Sequence, residues 1–303
     1  MRLVTYSRPG ERAARVGLLE GGASVIDLAD AASRAGRALP FDPGDMLSVV
    51  AAGAEGLEAI RKAAASGTRV PLDSVRLRAP IPKPRGNVFC VGWNYVDHFN
   101  EGAKLRQGDQ PLPEHPAFFS KSVTSVTGPY DPIPYDPNVS AQIDWEVELV
   151  IVVGPGGKNI PESRAARHVF GYTAMNDLSA RDLQRRHGGQ WFKGKSLDGH
   201  CPMGPCIVTA DEVDAGNLRV TTRVNGVTKQ DSNTRHFYFT IPRILAELSL
   251  GMTLEPGDLV STGTPAGVGY GRTPQEFLKP GDLLETEIEG IGVLRNRIGG
   301  QDT

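Results

Sequence analysis

The order of apolar and polar positions predicts many short strands and few helices. Apolar or alternating runs bounded by glycine or proline predict strands at RLVTY, RVGLLEGG, SVIDLAD, NVFCVGWNY, FGYTAMNDL and CPMGPCIVTADEV. An Asn225-Gly226 pair predicts a hairpin turn, and apolar positions at helical spacing predict helices over residues 43–67 and 239–254. Because the strands outnumber the helices and do not alternate with them regularly, the pattern favours a β-rich α+β fold over a doubly wound sheet.

A proline-rich segment predicts a boundary between two domains. Four prolines lie between residues 71 and 84, and proline at this density favours an extended linker. We therefore expect a small N-terminal domain over residues 1–70 and a larger domain over residues 71–303.

Composition narrows the class of protein without naming its chemistry. The chain of 303 residues has 33 basic and 35 acidic side chains and a net charge of −2, which gives no electrostatic reason to expect a nucleic-acid or membrane partner. Its three cysteines form neither a disulfide framework nor a zinc-type motif. No apolar stretch approaches the length of a membrane span, and no targeting segment is recognisable at the start. We expect a soluble, cytoplasmic protein.

The segment DWEVELVIVVG, residues 144–154, places acidic side chains beside a continuous apolar run. On a strand, Asp144, Glu146 and Glu148 share one face, and the commonest explanation of such a pattern is a half-exposed strand with a solvated acidic face. The alternative is a cluster that holds a cation. If Asp177 ends a neighbouring strand, it would complete a set of three oxygen ligands with Glu146 and Glu148, which suits Mg²⁺ or Mn²⁺.

The segment NYVDHFNE suggests a catalytic pair. His98 and Glu101 are three residues apart and would share one face of a helix, where the carboxylate could orient the imidazole as a general base. An exposed pair without function is the alternative. Because the polar stretch 97–116 is long and contains glycine and proline, we expect residues 97–112 to be weakly ordered without ligand and to form a short helix with it.

Residues 189–196, GQWFKGKS, match the phosphate-loop pattern, but their context argues against a nucleotide site. A charged segment precedes the motif where a buried strand is required, and Pro202 and Pro205 prevent the helix that should follow it. The segment GTPAGVGYG is likewise too weak a match for a dinucleotide site because no helix follows.

Six segments together resemble a known enzyme family. In chain order, from residue 91 to residue 269, these are VGWNYVDHFNE, FFSKSVTSVTGP, DWEVELVIVVG, GYTAMNDLSARDLQ, GKSLDGHCPMGP and STGTPAGVG. They are similar to the C-terminal catalytic domain of the fumarylacetoacetate hydrolase family. The resemblance implies a mixed β-sandwich roll preceded by a small N-terminal α+β domain, and assembly as a homodimer.

The resemblance also implies a role for individual residues. Glu146, Glu148 and Asp177 match the ligands of one Mg²⁺ or Mn²⁺ ion, and His98 and Glu101 match a catalytic dyad. Lys195 matches a residue that stabilises developing negative charge. The positions that match substrate contacts are Arg181, Gln184, Thr264 and, less closely, Lys121. Asp144 matches no ligand and is expected to be solvated or to lie behind the ligands.

The activity implied by this set is metal-dependent hydrolysis of a C–C bond in a small 2,4-dioxo acid such as an acylpyruvate, in the catabolism of aromatic compounds. Two alternatives on the same site stay open: decarboxylation of a 2-oxo diacid such as oxaloacetate, and isomerisation or hydration of a 2-hydroxy-dienoate diacid. A catalytically weak binding or regulatory homologue is a further alternative, against which the complete ligand set and dyad argue.

Overall fold

The computed structural model describes residues 1–102 and 111–299. The strands are β1 (Arg2–Ser7), β2 (Arg15–Glu20), β3 (Ser24–Asp27), β4 (Arg69–Pro71), β5 (Arg76–Leu77), β6 (Val88–Gly92), β7 (Ala117–Lys121), β8 (Val126–Thr127), β9 (Ile143–Asp144), β10 (Val147–Val153), β11 (Val169–Asn176), β12 (Ser179–Ala180), β13 (Cys201–Thr209), β14 (Arg219–Val224), β15 (Val227–Asn233), β16 (Leu259–Ser261), β17 (Leu283–Ile288) and β18 (Gly292–Arg297). The helices are α1 (Leu28–Arg34), α2 (Met46–Ala51), α3 (Gly53–Ala64), α4 (Val96–Glu101), α5 (Arg181–Arg186), α6 (Phe192–Lys195) and α7 (Ile241–Ser249). The predicted β-rich α+β class is confirmed.

The described strands form one large sheet and two smaller ones. The large sheet runs in the order β4-β3-β2-β1-β13-β11-β10-β16-β6-β7, with β5 beside β1 and β8 beside β13. Strands β15-β14-β17-β18 form a second sheet, and β9 pairs with β12. Among these pairs only β6 with β16 and β8 with β13 are parallel. The predicted Asn225-Gly226 turn joins β14 to β15, and both of its residues have the positive φ that a two-residue hairpin requires.

The N-terminal segment continues the large sheet. Strand β1 pairs antiparallel with β13, with Arg2 opposite Val208 and Leu3 opposite Ile207. Hydrogen bonding therefore connects residues on both sides of the proposed boundary at residue 71. The division into two domains stays a prediction.

The single helix predicted over residues 43–67 is two helices, α2 and α3. Gly53 has a φ of +53°, which is left-handed backbone and cannot continue the preceding α-helix. Helix α1, which the apolar pattern did not indicate, begins where the Asp27 carboxylate accepts a hydrogen bond of 2.9 Å from the backbone N–H of Asp30. Helix α7 confirms the prediction for residues 239–254, and Thr240 caps it.

Two central strands position the site. All residues of β10 and β11 are buried, because both strands lie inside the large sheet with apolar clusters packed against them. They are antiparallel, with Val147 opposite Asn176, so β10 begins beside the point where β11 ends. Glu146 and Asp177 flank these ends, and the backbone N–H of Asp177 donates to the Glu146 carbonyl at 2.8 Å. None of the described helices is long and apolar enough to cross a lipid bilayer.

Candidate active site

Three buried carboxylates converge at this strand junction. One oxygen each from Glu146, Glu148 and Asp177 lies within 4.8 Å of the other two, and all three residues are at most 4% exposed. An interruption of the backbone helps to bring these carboxylates together. The predicted single strand is divided into β9 and β10, with Trp145 and Glu146 between them. In the part of the chain that the structure describes, this is the one group of acidic, histidine and cysteine side chains close enough to share a cation.

Basic side chains surround two of these carboxylates. The Lys195 ammonium donates to Glu146 Oε2 at 2.6 Å and to Asp177 Oδ2 at 2.7 Å. The Arg181 guanidinium donates to Glu146 Oε1 at 2.6 Å. Lys121, which is fully buried, donates to Asp177 Oδ1 at 2.8 Å and to two backbone carbonyls. Glu148 instead accepts from the Ser261 hydroxyl and from the backbone N–H of Gly263.

Asp144 is part of this network and lies behind the ligands, the second of its two expected positions. Its side chain is 0% exposed and accepts a hydrogen bond of 2.8 Å from Arg181 Nε. The backbone N–H groups of Gly269 and Tyr270 donate to the same carboxylate at 2.6 and 3.0 Å. Burial raises the pKa of Asp144, and the charge of Arg181 opposes this shift. Asp144 therefore orients Arg181 from behind.

The electrostatics of the cluster fit a divalent cation. Four carboxylates (Asp144, Glu146, Glu148 and Asp177) meet three cations (Lys121, Arg181 and Lys195), which gives a formal excess of one negative charge in a buried space when every carboxylate is ionised. Burial alone would raise the pKa of Glu146, but Lys195 and Arg181 lower it to about 2. Burial, Asp177 and Glu146 raise the pKa of Glu148 well above its ordinary value. An oxygen-only donor set with unbalanced negative charge is the chemistry that a hard divalent ion prefers.

The predicted pair His98 and Glu101 lies on helix α4, with Nδ1 of the histidine 3.3 Å from Oε2 of the glutamate. The other oxygen of Glu101 accepts a hydrogen bond of 2.9 Å from the backbone N–H of Gly267. This contact fixes the carboxylate from the opposite side, so it can hold the imidazole with Nε2 directed away from Glu101 and without a hydrogen-bond partner among the described residues. Residues 103–110 of the predicted mobile segment lie outside the described residues.

The close packing of Gly271 against Glu101 allows the role of the Glu101 carboxylate to be tested by a substitution at position 271. A Cβ at position 271 would lie 2.5 Å from Cδ and 2.8 Å from Oε1 of Glu101. Because the obstructing atoms, Cγ among them, all belong to one flexible side chain that can move as a whole, Gly271→Ala should fold normally but push the carboxylate away from His98. We expect kcat to fall by about 10- to 100-fold with an unchanged melting temperature. The matched control is Gly86→Ala, where a Cβ meets nothing within 4 Å. Full activity of Gly271→Ala would show that the position of Glu101 is unimportant.

Two cavities that share lining residues lie at the site, and the smaller one adjoins the carboxylates. The inner cavity has a volume of about 70 Å³ and reaches Glu146, Glu148, Lys195 and Thr264. The outer cavity has a volume of about 670 Å³ and includes Glu101, Arg185, Tyr270 and Gly271. The residues that line both are Trp93, His98, Arg181, Gln184 and Trp191.

The structure thus places most of the predicted site residues around one space. Thr264 Oγ1 lines the inner cavity and accepts a hydrogen bond of 2.8 Å from Gln230 Nε2. Gln184 also lines it, and its Oε1 accepts from Arg181 at 3.1 Å. Lys121 is different, because it lies behind Asp177 and is absent from the described lining of both cavities. From this position Lys121 is better placed to hold the Asp177 carboxylate than to contact a substrate, as was expected of it.

Several residues complete the site beyond those predicted from the sequence. Ser261 and Gly263 hold Glu148, and Gln230 holds Thr264. Trp93 and Trp191 line both cavities, and their rings are in edge-to-face contact. The phosphate-loop motif ends in the short helix α6, whose Lys195 ammonium is buried among carboxylates, so the exclusion of a phosphate loop agrees with the structure.

Comparison with known proteins identifies the family. A family model described as "Fumarylacetoacetate (FAA) hydrolase C-terminal" matches residues 87–299. Oxaloacetate tautomerase YisK of Bacillus subtilis (strain 168) is 47% identical over 229 residues, which are 75% of this chain and 74% of that protein. Mitochondrial oxaloacetate tautomerase FAHD2A of Bos taurus is 41% identical over 302 residues, covering 98% of this chain and 91% of the relative.

A solved structure supports the same assignment. Maleylpyruvate hydrolase from Sphingobium sp. SYK-6, in complex with manganese(II) ion and pyruvate, superposes with a TM-score of 0.77 and 30% identity. The match covers 99% of this chain and 100% of that one. The buried acidic cluster, the order of its sequence segments and these similarities lead to one conclusion: this chain belongs to the fumarylacetoacetate hydrolase family.

Proposed function

We propose that this protein is a divalent-metal-dependent tautomerase that interconverts the enol and keto forms of oxaloacetate. The observation that carries the proposal is the small inner cavity, about 70 Å³, in which His98, Arg181 and Lys195 surround the carboxylate cluster. The small volume favours a short acid over a long acylpyruvate, most of which would have to lie outside this cavity. The names of both relatives favour the oxaloacetate alternative over the C–C hydrolysis that the sequence first suggested.

Glu146, Glu148 and Asp177 are the residues that would hold the metal, with Mg²⁺ and Mn²⁺ both compatible with an oxygen-only set. When bound, such an ion polarises a 2-oxo group and makes the neighbouring C–H more acidic. Lys195 lowers the pKa of Glu146 and so favours its ionised form, and the same ammonium also contacts Asp177.

The reaction requires one proton to leave C3 of the keto form and one to join the oxygen on C2, with no other reactant. His98 is the group to move the C3 proton, since Glu101 occupies Nδ1 and leaves Nε2 as the base. Lys195 has three N–H donors and uses two on carboxylates, so a third is available for the C2 oxygen. Arg181, held by Asp144 and Glu146, presents the rest of its guanidinium to a substrate carboxylate.

The outer cavity contains a positive charge that has no carboxylate partner among the described residues. Arg185 donates to three neutral oxygens, those of the Tyr270 hydroxyl, the Gln142 side chain and the Arg181 carbonyl. It makes no ion pair with any described residue within 4.0 Å. An unbalanced cation near the opening attracts dianionic substrates.

Replacing this arginine should weaken capture of substrate. For Arg185→Gln we expect KM for oxaloacetate to rise about three- to fivefold with kcat nearly constant, because an exposed charge contributes little more than this. The dependence of kcat/KM on ionic strength should also become shallower. Its neighbour Arg186, which lines neither cavity, gives the matched control Arg186→Gln. Equal KM values for the two variants would contradict the assignment.

Hydrolysis of acylpyruvates is the second candidate, supported by one structural relative. That relative is named a maleylpyruvate hydrolase, and the outer cavity of about 670 Å³ has room for an acyl group. Hydrolysis would require His98 to activate a water molecule instead of moving a proton on carbon.

Assembly as a homodimer and a cytoplasmic location also stay proposals, the latter because one relative is named as mitochondrial.

The deciding experiment follows oxaloacetate and acylpyruvates in parallel. Loss of the ultraviolet absorbance of enol-oxaloacetate measures tautomerisation above the spontaneous rate, and coupled assays for pyruvate detect decarboxylation or C–C cleavage. Metal-free protein should be inactive, and Mg²⁺ or Mn²⁺ should restore tautomerisation. Release of pyruvate from oxaloacetate as the main reaction would make the protein a decarboxylase, and faster cleavage of acylpyruvates would make it a hydrolase.

A further inference from the structure

Trp93 lies at the boundary between the two cavities. Five residues line both spaces, and three of them, His98, Arg181 and Gln184, are polar members of the proposed site. The other two are Trp93 and Trp191, which have no role in moving protons or holding a metal. A bulky apolar wall at a boundary limits what can extend from one space into the other.

The backbone of Trp93 is unusual. Its φ is +57°, left-handed backbone that bulky side chains rarely adopt because of steric strain. Strained backbone of this kind persists where the surrounding structure holds it and is concentrated at functional sites. Trp93 follows directly on Gly92, the last residue of β6, and this conformation accompanies the placement of its ring at the cavity boundary.

Aromatic contacts hold the Trp93 ring in place. It meets the Trp191 ring edge-on, with centroids 5.0 Å apart, and the Phe99 ring of helix α4 at 6.0 Å. Trp191 in turn meets Phe119 at 5.1 Å. A Cβ on Gly92 would lie 2.6 Å from the Trp191 ring, so that ring packs directly on the end of β6. The Trp93 ring cannot swing aside without losing contacts on two sides.

We propose that Trp93 is a specificity-determining residue that sets the upper length of the substrate beyond its 2-oxo acid group. This inference rests on the proposed site for 2-oxo acids but not on which reaction occurs there. A short acid is held in the inner cavity. A longer chain must pass the Trp93 ring to reach the outer cavity, and it meets the ring before it gains any contact there.

The test compares binding of 2-oxo acids of increasing length to the metal-loaded protein. Trp93→His and Trp93→Asn form a graded series, because histidine and asparagine both tolerate positive φ while the side chain becomes smaller. Calorimetry gives Kd for pyruvate, 2-oxohexanoate and 2-oxooctanoate, and melting temperatures verify folding. In the wild type, Kd should rise with chain length. In Trp93→Asn the ratio of the 2-oxooctanoate Kd to the pyruvate Kd should fall by about tenfold or more relative to the wild type. This is the size of effect that one to a few methylene groups have in a pocket. The ratio for Trp93→His should lie between those of the wild type and Trp93→Asn.

The control is Tyr130→Asn, which removes an exposed aromatic ring that lines neither cavity. An unchanged Kd ratio in both Trp93 variants would overturn the proposal. Equal weakening of all three acids would also overturn it, because Trp93 would then support the site without selecting length. Tautomerisation of oxaloacetate by the wild type is measured in parallel. A wild type without this activity would contradict the proposed reaction, whereas the Kd ratio tests the role of Trp93 independently of which reaction occurs.

Discussion

Glu148→Gln should reduce turnover by about 10³-fold or more and remove the response of the protein to divalent metal. A bound metal contributes several kcal/mol to such a reaction, and each 1.36 kcal/mol corresponds to a factor of ten in rate. Glu148 is the member of the acidic cluster whose carboxylate contacts no basic side chain among the described residues, so its charge is the one most available to a cation.

The same substitution should not destabilise the metal-free protein. The cluster has one excess negative charge, and burial together with Asp177 and Glu146 already raises the pKa of Glu148. A neutral glutamine therefore removes repulsion, and the melting temperature without metal should equal or exceed that of the wild type. With metal at 100 times Kd, the wild type should gain about 2.7 kcal/mol and the variant almost nothing.

Metal analysis, melting curves with and without Mn²⁺ and enol-oxaloacetate kinetics measure these effects. The control is Glu255→Gln, which removes an exposed carboxylate far from the cluster in sequence. A Glu148→Gln protein that retains stoichiometric metal and wild-type turnover would refute the ligand assignment. A variant that fails to fold even without metal would contradict the charge argument.

His98→Asn should lose kcat while keeping its metal. His98 lies outside the acidic cluster, and its Nδ1 is directed at Glu101, so it is placed as a base and not as a ligand. Removal of a general base costs about 10²- to 10⁴-fold in rate. Glu101→Gln should have an effect of the same kind but a smaller one, since the imidazole remains and only its orientation and basicity are weakened.

The chain supplies a matched control for this pair. His115 Nδ1 lies 3.2 Å from Glu247 Oε1, nearly the same geometry, but the His115 side chain is 62% exposed. His115→Asn should leave kcat and metal content unaltered. Loss of metal in His98→Asn would move this histidine among the ligands. Equal kcat values in the His98 and His115 variants would show that the proton transfer does not depend on the dyad.

Local patterns in the sequence predict much of this molecule. The alternation of apolar residues predicts the short strands, Asn225-Gly226 predicts the hairpin, and the spacing of His98 and Glu101 places both on one helical face. These features depend on residues close together in the chain, whose geometry follows from a period of two or 3.6 residues. The ordered segments between residues 91 and 269 similarly indicate the family, which the comparisons confirm.

Local patterns mislead where one residue changes the backbone or where burial depends on distant partners. Gly53 divides a helix that apolar spacing predicts as continuous. Asp144 is buried because Arg181 and the backbone at residues 269–270 supply its hydrogen bonds, and no pattern near Asp144 contains that information. Lys121 belongs behind Asp177 for the same reason.

The amino-acid sequence specifies which groups are available: three carboxylates suited to a divalent ion, a histidine with an acidic partner, and the strands that carry them. Their arrangement in space follows from the tertiary fold alone. The antiparallel register of β10 and β11 brings Glu146 to Asp177, and the packing of β6 and its neighbours places Trp93 in the lining of both cavities. These contacts join residues distant in the chain, so their geometry follows from packing and desolvation of the whole fold and not from the local order of side chains.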